Sequence, residues 1–291
     1  MSDTVEIVTP PAVAPKADLP KRRVPPRARA VAAAVAPLWL VAALMIVWEI
    51  TARAVPTVFF PPVSAVMEQF VDDWLSTDPF TLFLSEGFWD AVPVSLGRFA
   101  QGWALAVIVG IGVGVALGRS PILAGMYNPT VRFFMALPNA ALLPIAFQIF
   151  GATSSMNVFL IFFGTVWVIL VNTADGVAGV DRQWIRSARS LQLSRPQFYL
   201  RVLLPAASPR IMAGLRISVG IGLILMIISE LYATTEGLGY NVVLYQQTFM
   251  YRQMWSAFVL IALLGIVLNG IVNTVERRLL RWNRRAGLAD L

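Results

Sequence analysis

Long apolar runs, separated by shorter polar stretches, extend over most of this chain. Each run is about 18–24 residues long, the helix length that a hydrocarbon core of ~30 Å requires. The runs cover residues 37–54, 95–118, 131–150, 156–175, 208–230 and 254–275. The pattern therefore predicts an all-α, polytopic membrane protein with about six transmembrane helices.

The polar stretch between the first two runs, residues 55–94, contains a second pattern. Its apolar residues recur at the three- and four-residue spacing of one helix face: Val63, Val66, Met67, Phe70, Val71, Trp74 and Leu75. This predicts an amphipathic helix over 63–75, which either lies flat on the membrane surface or packs against other spans. We interpret residues 76–87 as extra length before the second run and attach no function to them.

The second run is rich in glycine. Its glycines are Gly102, Gly110, Gly112, Gly114 and Gly118. Small residues four apart in an apolar helix are typical of close helix–helix contact. The sequence Gly-Ile-Gly-Val-Gly lacks the strand, turn and acidic partner that surround a dinucleotide-binding loop, so we interpret it as a packing surface.

Basic and acidic residues are segregated along the chain. Lys and Arg concentrate in a tail over 1–36, in the loop 176–208 and in a second tail over 276–291, whereas 55–94 contains acids and no Lys or Arg. The positive-inside rule places basic segments in the cytoplasm. We therefore expect a multi-pass membrane protein with both termini cytoplasmic, a disordered 1–36 tail and an extracytoplasmic 55–94 segment. The net charge of +7 then reflects topology, and we expect no nucleic-acid partner.

Composition excludes most catalytic chemistry. The 291 residues are 57% hydrophobic and 13% charged, with no cysteine and no histidine. Such a chain has no disulfide, no thiolate metal site and no histidine-activated nucleophile, so we expect no catalytic residue and no metal ligand. It also lacks the phosphate-binding sequence G-x-x-x-x-G-K-[ST]. The energy for active transport would have to come from another polypeptide.

The longest polar, basic stretch between two apolar runs, residues 181–205, lies just before the fifth run and predicts two short helices. Asp181 is placed to N-cap the first helix. Ser194 and Gln197 have the spacing of a capping box for the second. We expect Pro205 to end that helix and the fifth span to begin afresh at the Ser208 cap. A structured polar hairpin between spans requires a soluble partner to contact.

This loop resembles the cytoplasmic signature E-A-A-x3-G-x9-I-x-L-P of the inner-membrane permease subunits of bacterial ABC importers. The spacing matches without a gap. The signature positions fall on Arg186, Ser187, Ala188, Gln192, Val202, Leu204 and Pro205. Two residues depart from the signature. Arg186 replaces its acid, and Gln192 replaces the glycine of the turn, where a left-handed conformation costs a side chain roughly 1 kcal/mol.

Further short motifs resemble the branch of this family that imports nitrate, sulfonates, taurine and related small solutes. They are Trp48-Glu49, Pro61-Pro62, Ser95-Leu96-Gly97-Arg98, Leu137-Pro138, Ala141-Leu142-Leu143-Pro144, Gly151, and Glu230 with Gly237-Leu238-Gly239. The resemblance implies a permease for a small organic or inorganic anion-like solute, with residues 95–275 as its transmembrane core. It also implies a homodimer that works with a cytoplasmic ABC ATPase dimer and an extracytoplasmic solute-binding protein. ATP and Mg would be used by the ATPase, and this chain would bind no cofactor.

The same resemblance implies that the polar loop couples to the ATPase by docking into a cleft on its surface. Its apolar residues are the better candidates for the docked face, because desolvated anchors dominate most contacts. They are Leu191, Leu193, Phe198 and Tyr199. The arginines of the loop either pair with acidic ATPase residues or anchor at the phosphates of membrane lipids.

Polar residues of the third to fifth spans are the candidates for the translocation path. They are Asn139, Gln148, Asn157, Asn172, Ser218, Ser229 and Glu230. Ionisable residues within spans are costly, and the others of this kind are Glu49, Arg98, Asp175 and Arg216. For Glu49, Arg98 and Asp175 we expect snorkelling or interfacial anchoring. Glu230 is placed either for function or for a structural hydrogen bond.

Three other functions are weighed against this interpretation. An ABC permease for another small nutrient, such as a vitamin precursor or an aromatic acid, would share every feature described. A stand-alone channel or secondary carrier would show an inverted repeat and clustered midplane charge, and neither is found. An intramembrane enzyme would need a catalytic set that the composition does not supply.

Overall fold

The computed structural model describes residues 26–280 of the chain. Over this range the chain forms α-helices joined by short turns, and no strand. The helices are α1 Pro26–Ala54, α2 Val63–Trp74, α3 Glu86–Arg119, α4 Pro121–Ala136, α5 Leu143–Phe150, α6 Ser154–Ala178, α7 Arg182–Ser190, α8 Arg195–Phe198, α9 Leu204–Ala233, α10 Leu238–Gln247 and α11 Tyr251–Leu279. Two 3-10 turns, Pro79–Thr81 and Asn139–Leu142, and a π-helical segment, Tyr199–Leu203, complete the chain path. The predicted all-α fold class is confirmed.

Four helical segments are long and apolar enough to cross a membrane. They are Glu86–Arg119, Ser154–Ala178, Arg195–Tyr232 and Tyr251–Leu279. A fifth candidate is formed by α4 together with Asn139–Phe150, a pair that bends by 87° at its break. These numbers refer only to the described residues, so the total of six spans, including one at 37–54, stays a prediction.

Several predicted boundaries need correction. α1 begins at Pro26, so residues 26–36 are helical rather than part of a disordered tail. A proline in the first turn and the alanine-rich sequence after it favour helix there. Residues 1–25 and 281–291, which hold the rest of the two basic tails, lie outside the described residues. α11 continues to Leu279, beyond the predicted start of the second tail at residue 276.

Two further helix starts were missed because their caps lie in stretches predicted to be loops. Ser85 Oγ accepts from the Phe88 N–H at 3.2 Å, and α3 therefore begins at Glu86, inside the predicted extracytoplasmic segment. Ser120 Oγ accepts from the Leu123 N–H at 3.3 Å, and α4 follows directly. The segment 119–130, between the second and third apolar runs, is thus mostly helix.

The long helices run between two ends of the bundle. We call these the hairpin end, which carries α7 and α8, and the α2 end. The last residue of α3, Arg119, stacks on Phe198 at the hairpin end. Near the α2 end, Arg98 of α3 contacts Glu230 near the end of α9. α3 and α9 therefore connect the same two ends in opposite directions.

The helices α3, α6 and α9 form the tightest part of the bundle. Gly102, Gly110, Gly114 and Gly118 of α3 all lie against α6. A Cβ at Gly114 would lie 2.6 Å from the Thr173 Cβ and 2.7 Å from the Leu170 carbonyl oxygen, so no side chain fits there. Gly112 has no neighbour within 4 Å of such an atom and lies outside the contact. The prediction of close helix packing is confirmed for the other glycines of this run.

The amphipathic helix α2 packs against the bundle. Its Trp74 is buried, and the Trp74 Nε1–H donates to Ser256 Oγ of α11 at 2.7 Å. The Ser256 hydroxyl in turn donates to Asp73 Oδ2 at 2.8 Å. Burial, followed by the charge of Asp73, raises the pKa of the Tyr245 hydroxyl nearby. Of the two placements predicted for this helix, packing on other spans is confirmed.

The fifth span does not begin afresh at Ser208. Residues 195–232 form one continuous helical segment. The Leu204 N–H donates to the Tyr199 carbonyl five residues back, and this π-helical turn carries the helix past Pro205, which has no N–H of its own. Pro209 leaves the Pro205 carbonyl without its helical donor, and the Ser208 hydroxyl donates to that carbonyl at 2.7 Å instead. Ser208 therefore satisfies a carbonyl inside the helix and is not an N-cap.

Candidate functional site

The polar loop folds as a compact two-helix hairpin, residues 181–205, whose ends are set by side-chain caps. Asp181 Oδ1 accepts from the Gln183 N–H at 2.8 Å at the start of α7. The Ser194 N–H donates to Gln197 Oε1 at 3.0 Å, which is half of the predicted capping box. Both predicted caps are present.

The turn between the two hairpin helices is a Schellman motif. The Gln192 N–H donates to the Arg189 carbonyl at 3.0 Å, and the Leu193 N–H donates to the Ala188 carbonyl at 3.2 Å. Gln192 has a φ of 49°, the left-handed conformation that the signature glycine adopts without strain. The substitution of glycine by Gln192 therefore keeps the turn.

The inner face of the hairpin is attached to the bundle. The Arg119 guanidinium lies 5.0 Å from the ring centroid of Phe198 and 6.0 Å from that of Tyr199. Both rings also pack beside a buried apolar cluster that contains Leu203 of the π segment. Phe198 and Tyr199 therefore hold the hairpin to the end of α3 in this structure, and their predicted part in ATPase docking stays a prediction.

The outer face of the hairpin exposes other apolar side chains. Leu191 is 73% exposed, and Leu200 is 67% exposed. A shallow groove of about 400 Å³ lies beside Leu191, lined by Gln183, Trp184, Ser187, Ala188, Leu191, Leu193 and Val202. The sequence pattern did not single out Leu200 or Trp184, since both lie in an arginine-rich polar stretch.

The remaining signature residues are divided between surface and interior. Arg186 and Ser187 are exposed on α7, whereas Ala188 is buried beneath the turn. Leu204 and Pro205 lie within the continuous helix, next to the π segment. The hairpin is thus a rigid extension of α9 rather than a loop hanging between two spans.

At the α2 end, a buried ion pair joins α3 to α9. Arg98 Nη1 and Glu230 Oε1 lie 3.0 Å apart, and both side chains are almost fully buried. The second carboxylate oxygen of Glu230 accepts from Ser95 Oγ at 2.8 Å and from the Gly239 N–H at 3.0 Å. Arg98 is therefore not a snorkelling or interfacial residue, and that expectation was wrong.

The network extends into the turn before α10. Arg98 also donates to Glu236 Oε1 at 2.9 Å and, through Nε, to Ser154 Oγ at 3.1 Å. Gly237, with a φ of 108°, brings its backbone so close that a Cβ would lie 2.7 Å from the Glu230 carboxyl carbon. Two motifs that lie far apart in the sequence therefore meet in one hydrogen-bonded network. They are Ser95-Leu96-Gly97-Arg98 and Glu230 with Gly237-Leu238-Gly239.

The predicted path residues fall into two groups. Asn157, Ser218, Ser229 and Glu230 are buried within the chain. Ser218, for example, accepts from the Trp103 Nε1–H at 2.8 Å. Asn139, Gln148 and Asn172 keep exposed surface.

Asn139 lies at the break in the bent fifth candidate span. The 3-10 turn Asn139–Leu142 separates α4 from α5 and packs on α6 and α9. Pro138 explains the break, because it disfavours helix at Leu137 and removes a donor. Irregular backbone at membrane depth occurs where it is buried in protein or lines a cavity. Leu137-Pro138 interrupts the apolar run 131–150 in the sequence, but nothing in the sequence indicates the 87° bend.

The other charges predicted near span ends have local partners or an exposed position. Glu49 Oε1 accepts from Ser64 Oγ at 2.8 Å, so it ties α1 to the start of α2. Arg216 of α9 forms an ion pair with Glu276 of α11. Asp175 is exposed near the end of α6.

Fold and site together define a class of protein. Apolar spans are joined at one end by a rigid polar hairpin and at the other by a buried charge network, and residues 26–280 contain no cluster of His, Cys, Asp and Glu that fits a metal. The spans, the hairpin and the charge network are typical of a transport permease. The chain belongs to the family described as binding-protein-dependent transport system inner membrane component, whose family model matches residues 106–284. It is the membrane subunit of an ABC importer, a type of permease that works with an ATPase and a solute-binding protein.

Relatives within this family transport several small solutes. The chain is 32% identical to the bicarbonate transport system permease protein CmpB of Synechococcus elongatus over 253 residues, covering 84% of this chain and 89% of that protein. It is 30% identical to the taurine transport system permease protein TauC of Escherichia coli, covering 83% of this chain and 87% of that protein. It is 31% identical to the nitrate import permease protein NrtB of Leptolyngbya laminosa, covering 66% of this chain and 68% of that protein.

A solved structure shares the fold. A chain of the MetNI methionine ABC transporter, in an inward-facing conformation, superposes with a TM-score of 0.56 at 20% identity. The match covers 67% of this chain and 99% of that chain. The predicted membership of the ABC importer permeases is confirmed.

Proposed function

We propose that this chain imports a small anion or zwitterion, and that the 181–205 hairpin couples its movement to a cytoplasmic ATPase. The observation that carries the proposal is the gap-free importer signature lying on a rigid, partly exposed hairpin. The basic residues of this hairpin favour a cytoplasmic hairpin end and an extracytoplasmic α2 end. ATP and Mg belong to the ATPase in this proposal, and this chain contributes no cofactor site.

The contacts of the hairpin support a mechanical role. The hairpin continues without interruption into α9, and Arg119 attaches it to α3. At the far end of the same two helices, Arg98 and Glu230 join them again. A displacement of the hairpin by the ATPase would therefore move α3 and α9 together, as packed elements that shift between discrete arrangements.

The passage for the solute is best sought at the broken span. In the proposal, two copies of this chain face each other and the solute moves between them. The irregular turn at Asn139 supplies backbone groups outside a regular helix, and such turns mark solute sites in other transporters. Asn139 and Gln148 are the path candidates that this geometry favours.

The solute class rests on the relatives. Bicarbonate and nitrate are small anions, and taurine is a small sulfonate zwitterion, so an oxyanion group is common to all three. A permease for another small nutrient stays the second possibility. Thermal-shift screening of the solute-binding protein encoded next to this chain would test the proposal. Stabilisation by an oxyanion solute supports it, and stabilisation only by an uncharged or cationic solute contradicts it.

Coupling is tested at the exposed apolar residues of the hairpin. Leu191→Asp and Leu200→Asp place a charge in the proposed interface while leaving the buried face of the hairpin intact. We expect ATP-driven uptake in proteoliposomes to fall by about 10-fold or more, since desolvated anchors dominate contacts. Insertion and yield should not change.

The matched control is Ile122→Asp, at the start of α4. Ile122 is 76% exposed, similar to Leu191, but lies outside the hairpin. Uptake should be retained in this variant. Unchanged uptake in both hairpin variants would contradict the coupling proposal. A wild-type chain that never retains an ATPase on co-purification would contradict the importer assignment itself.

A further inference from the structure

The loop between α2 and α3, residues 76–85, carries a cluster of exposed apolar side chains. Phe80 is 97% exposed, Leu82 is 68% exposed and Phe83 is 58% exposed. Trp89, in the first turn of α3, is 44% exposed. Exposed apolar residues scattered singly need no explanation, but a cluster of them marks a contact surface.

The loop is held in one conformation by its own hydrogen bonds. The Phe80 N–H donates to Asp78 Oδ1 at 2.9 Å, and the Ser76 N–H donates to the Phe83 carbonyl at 2.8 Å. The Phe83 N–H donates back to the Asp78 carbonyl at 3.2 Å. The apolar side chains are therefore presented from a fixed backbone.

Two of these side chains stand in a conformation that glycine adopts freely. Leu82 has a φ of 57° and Phe83 has a φ of 62°. Large apolar residues in the left-handed region are strained, and a glycine would adopt the same backbone without that cost.

The position of the loop along α3 places it outside the hydrocarbon. α3 has 34 residues, which corresponds to ~50 Å of helix, whereas a hydrocarbon core is ~30 Å thick. The apolar sequence of α3 continues to Leu117, so the surplus of ~20 Å lies at the α2 end, where Glu86, Asp90 and Arg98 are found. The 76–85 loop lies at the tip of this surplus.

The charges around the loop favour a protein over a lipid surface. Asp78, Glu86 and Asp90 are all exposed, and residues 55–94 contain no Lys or Arg. Anionic phospholipid would be repelled by this acidic rim, and the basic residues that anchor proteins at such surfaces are missing here. An apolar centre with a charged rim is the anatomy of a protein–protein contact.

We propose that the 76–85 loop is a docking contact for the solute-binding protein. Phe80, Leu82 and Phe83 insert into an apolar pocket on that protein, and basic side chains around the pocket pair with the three acids. The inference rests on the proposed function, which places the α2 end outside the cytoplasm. The loop also lies before residues 106–284, so the family match assigns it nothing.

The first test compares two Phe→Ser variants in nanodisc-reconstituted transporter with its ATPase. The ligand is the solute-binding protein that works with this permease. Phe80→Ser should weaken its binding by about 30-fold, the effect of losing a buried aromatic anchor. Phe249→Ser, a change at a 71% exposed phenylalanine of the same end, should leave binding within about 3-fold of wild type. Equal losses in the two variants overturn the assignment to this loop.

A second variant separates binding from folding. Leu82→Gly removes an anchor and also relieves the left-handed strain, so thermal stability should stay equal or rise while affinity falls. A fall in stability together with unchanged affinity would show that Leu82 serves the fold, and the proposal would be wrong.

The absence of cysteine from the chain permits a direct test of the alternative, insertion into lipid. Phe80→Cys carries a polarity-sensitive fluorophore. We expect quenching by aqueous iodide in the free transporter and protection when the solute-binding protein is added. Quenching by nitroxide-labelled lipid instead overturns the proposal in favour of a membrane contact.

The experiments distinguish a failure of the proposed function from a failure of the docking contact. If wild-type transporter binds no solute-binding protein, the proposed function fails and the docking contact with it. If wild type binds and Phe80→Ser binds equally well, only the docking contact fails.

Discussion

At the scale of single residues, Arg98 is the most heavily engaged side chain of the bundle. Its guanidinium contacts Glu230, Glu236 and Ser154, which belong to the end of α9, the turn after it and the start of α6. Such a group is satisfied only when all of these elements are assembled. We therefore expect Arg98 and Glu230 to position the α2 end, and a part for Glu230 in the translocation path stays a prediction.

The burial of this pair predicts an unequal response to the same substitution. Glu230→Gln leaves Arg98 buried without its fully desolvated partner, and we expect a loss of about 3–5 kcal/mol in the free energy of unfolding. Glu236→Gln changes a carboxylate whose side chain is 58% exposed, and its effect should stay within about 1 kcal/mol. Denaturation of the detergent-solubilised protein measures both. Similar losses would mean that burial does not set the strength of this network.

Glycine positions in α3 allow a second residue-level prediction. Gly114→Ala forces a methyl group against α6, and overpacking of this kind costs about 1–3 kcal/mol. Gly112→Ala adds the same methyl group to open space and should be neutral or stabilise the helix by up to about 1 kcal/mol. Apparent melting temperatures of the two variants provide the comparison, and equal values would contradict the packing seen between α3 and α6.

At the scale of elements, the π segment determines the orientation of the hairpin relative to α9. The i→i−5 hydrogen bond of Leu204 inserts one residue into the helix before Pro205. An extra residue in a helical turn rotates everything before it by about 100°. The direction in which the hairpin presents Leu191 and Leu200 therefore depends on this π-helical turn.

Replacing the proline tests that dependence. Pro205→Ala restores an N–H and allows a regular α-helix through residues 199–205, which should rotate the hairpin while keeping or raising thermal stability. We expect ATP-driven uptake to fall. Pro209→Ala is the control, because Ser208 already satisfies the carbonyl that Pro209 leaves open. A loss of uptake in the control alone would place the critical irregularity at Pro209 instead.

At the scale of the whole molecule, the long helices join two ends of unlike charge. The hairpin end carries arginines, and the α2 end carries exposed acids. Under the positive-inside rule this asymmetry favours the proposed orientation, with the hairpin end in the cytoplasm.

Cysteine labelling tests the orientation. The chain has no native cysteine, so Asp78→Cys and Ser190→Cys each introduce a single thiol at an exposed position. A membrane-impermeant maleimide should label Asp78→Cys in intact spheroplasts and Ser190→Cys only after permeabilisation. The reverse pattern would invert the topology and remove the basis for both proposals.

The features that could be predicted from the sequence depend on local pattern. The hairpin caps at Asp181 and Ser194 follow from short-range hydrogen bonding, and the interruption at Pro138 follows from a missing donor. The helix starts at Ser85 and Ser120 were missed although each has a local cap. Both lie between apolar runs, in stretches whose charged and turn-forming residues are typical of connections.

The sequence by itself determined the helical class, the apolar spans, the segregation of charge and the importer signature. In a bilayer the chain must satisfy its backbone within each span, so run length and composition are sufficient for these features. Only the tertiary structure decided that Arg98 meets Glu230 across 132 residues of sequence, that Phe198 faces Arg119 and that Phe80 is left exposed. These outcomes depend on which helices become neighbours and how closely their glycines let them approach, and no local pattern encodes that.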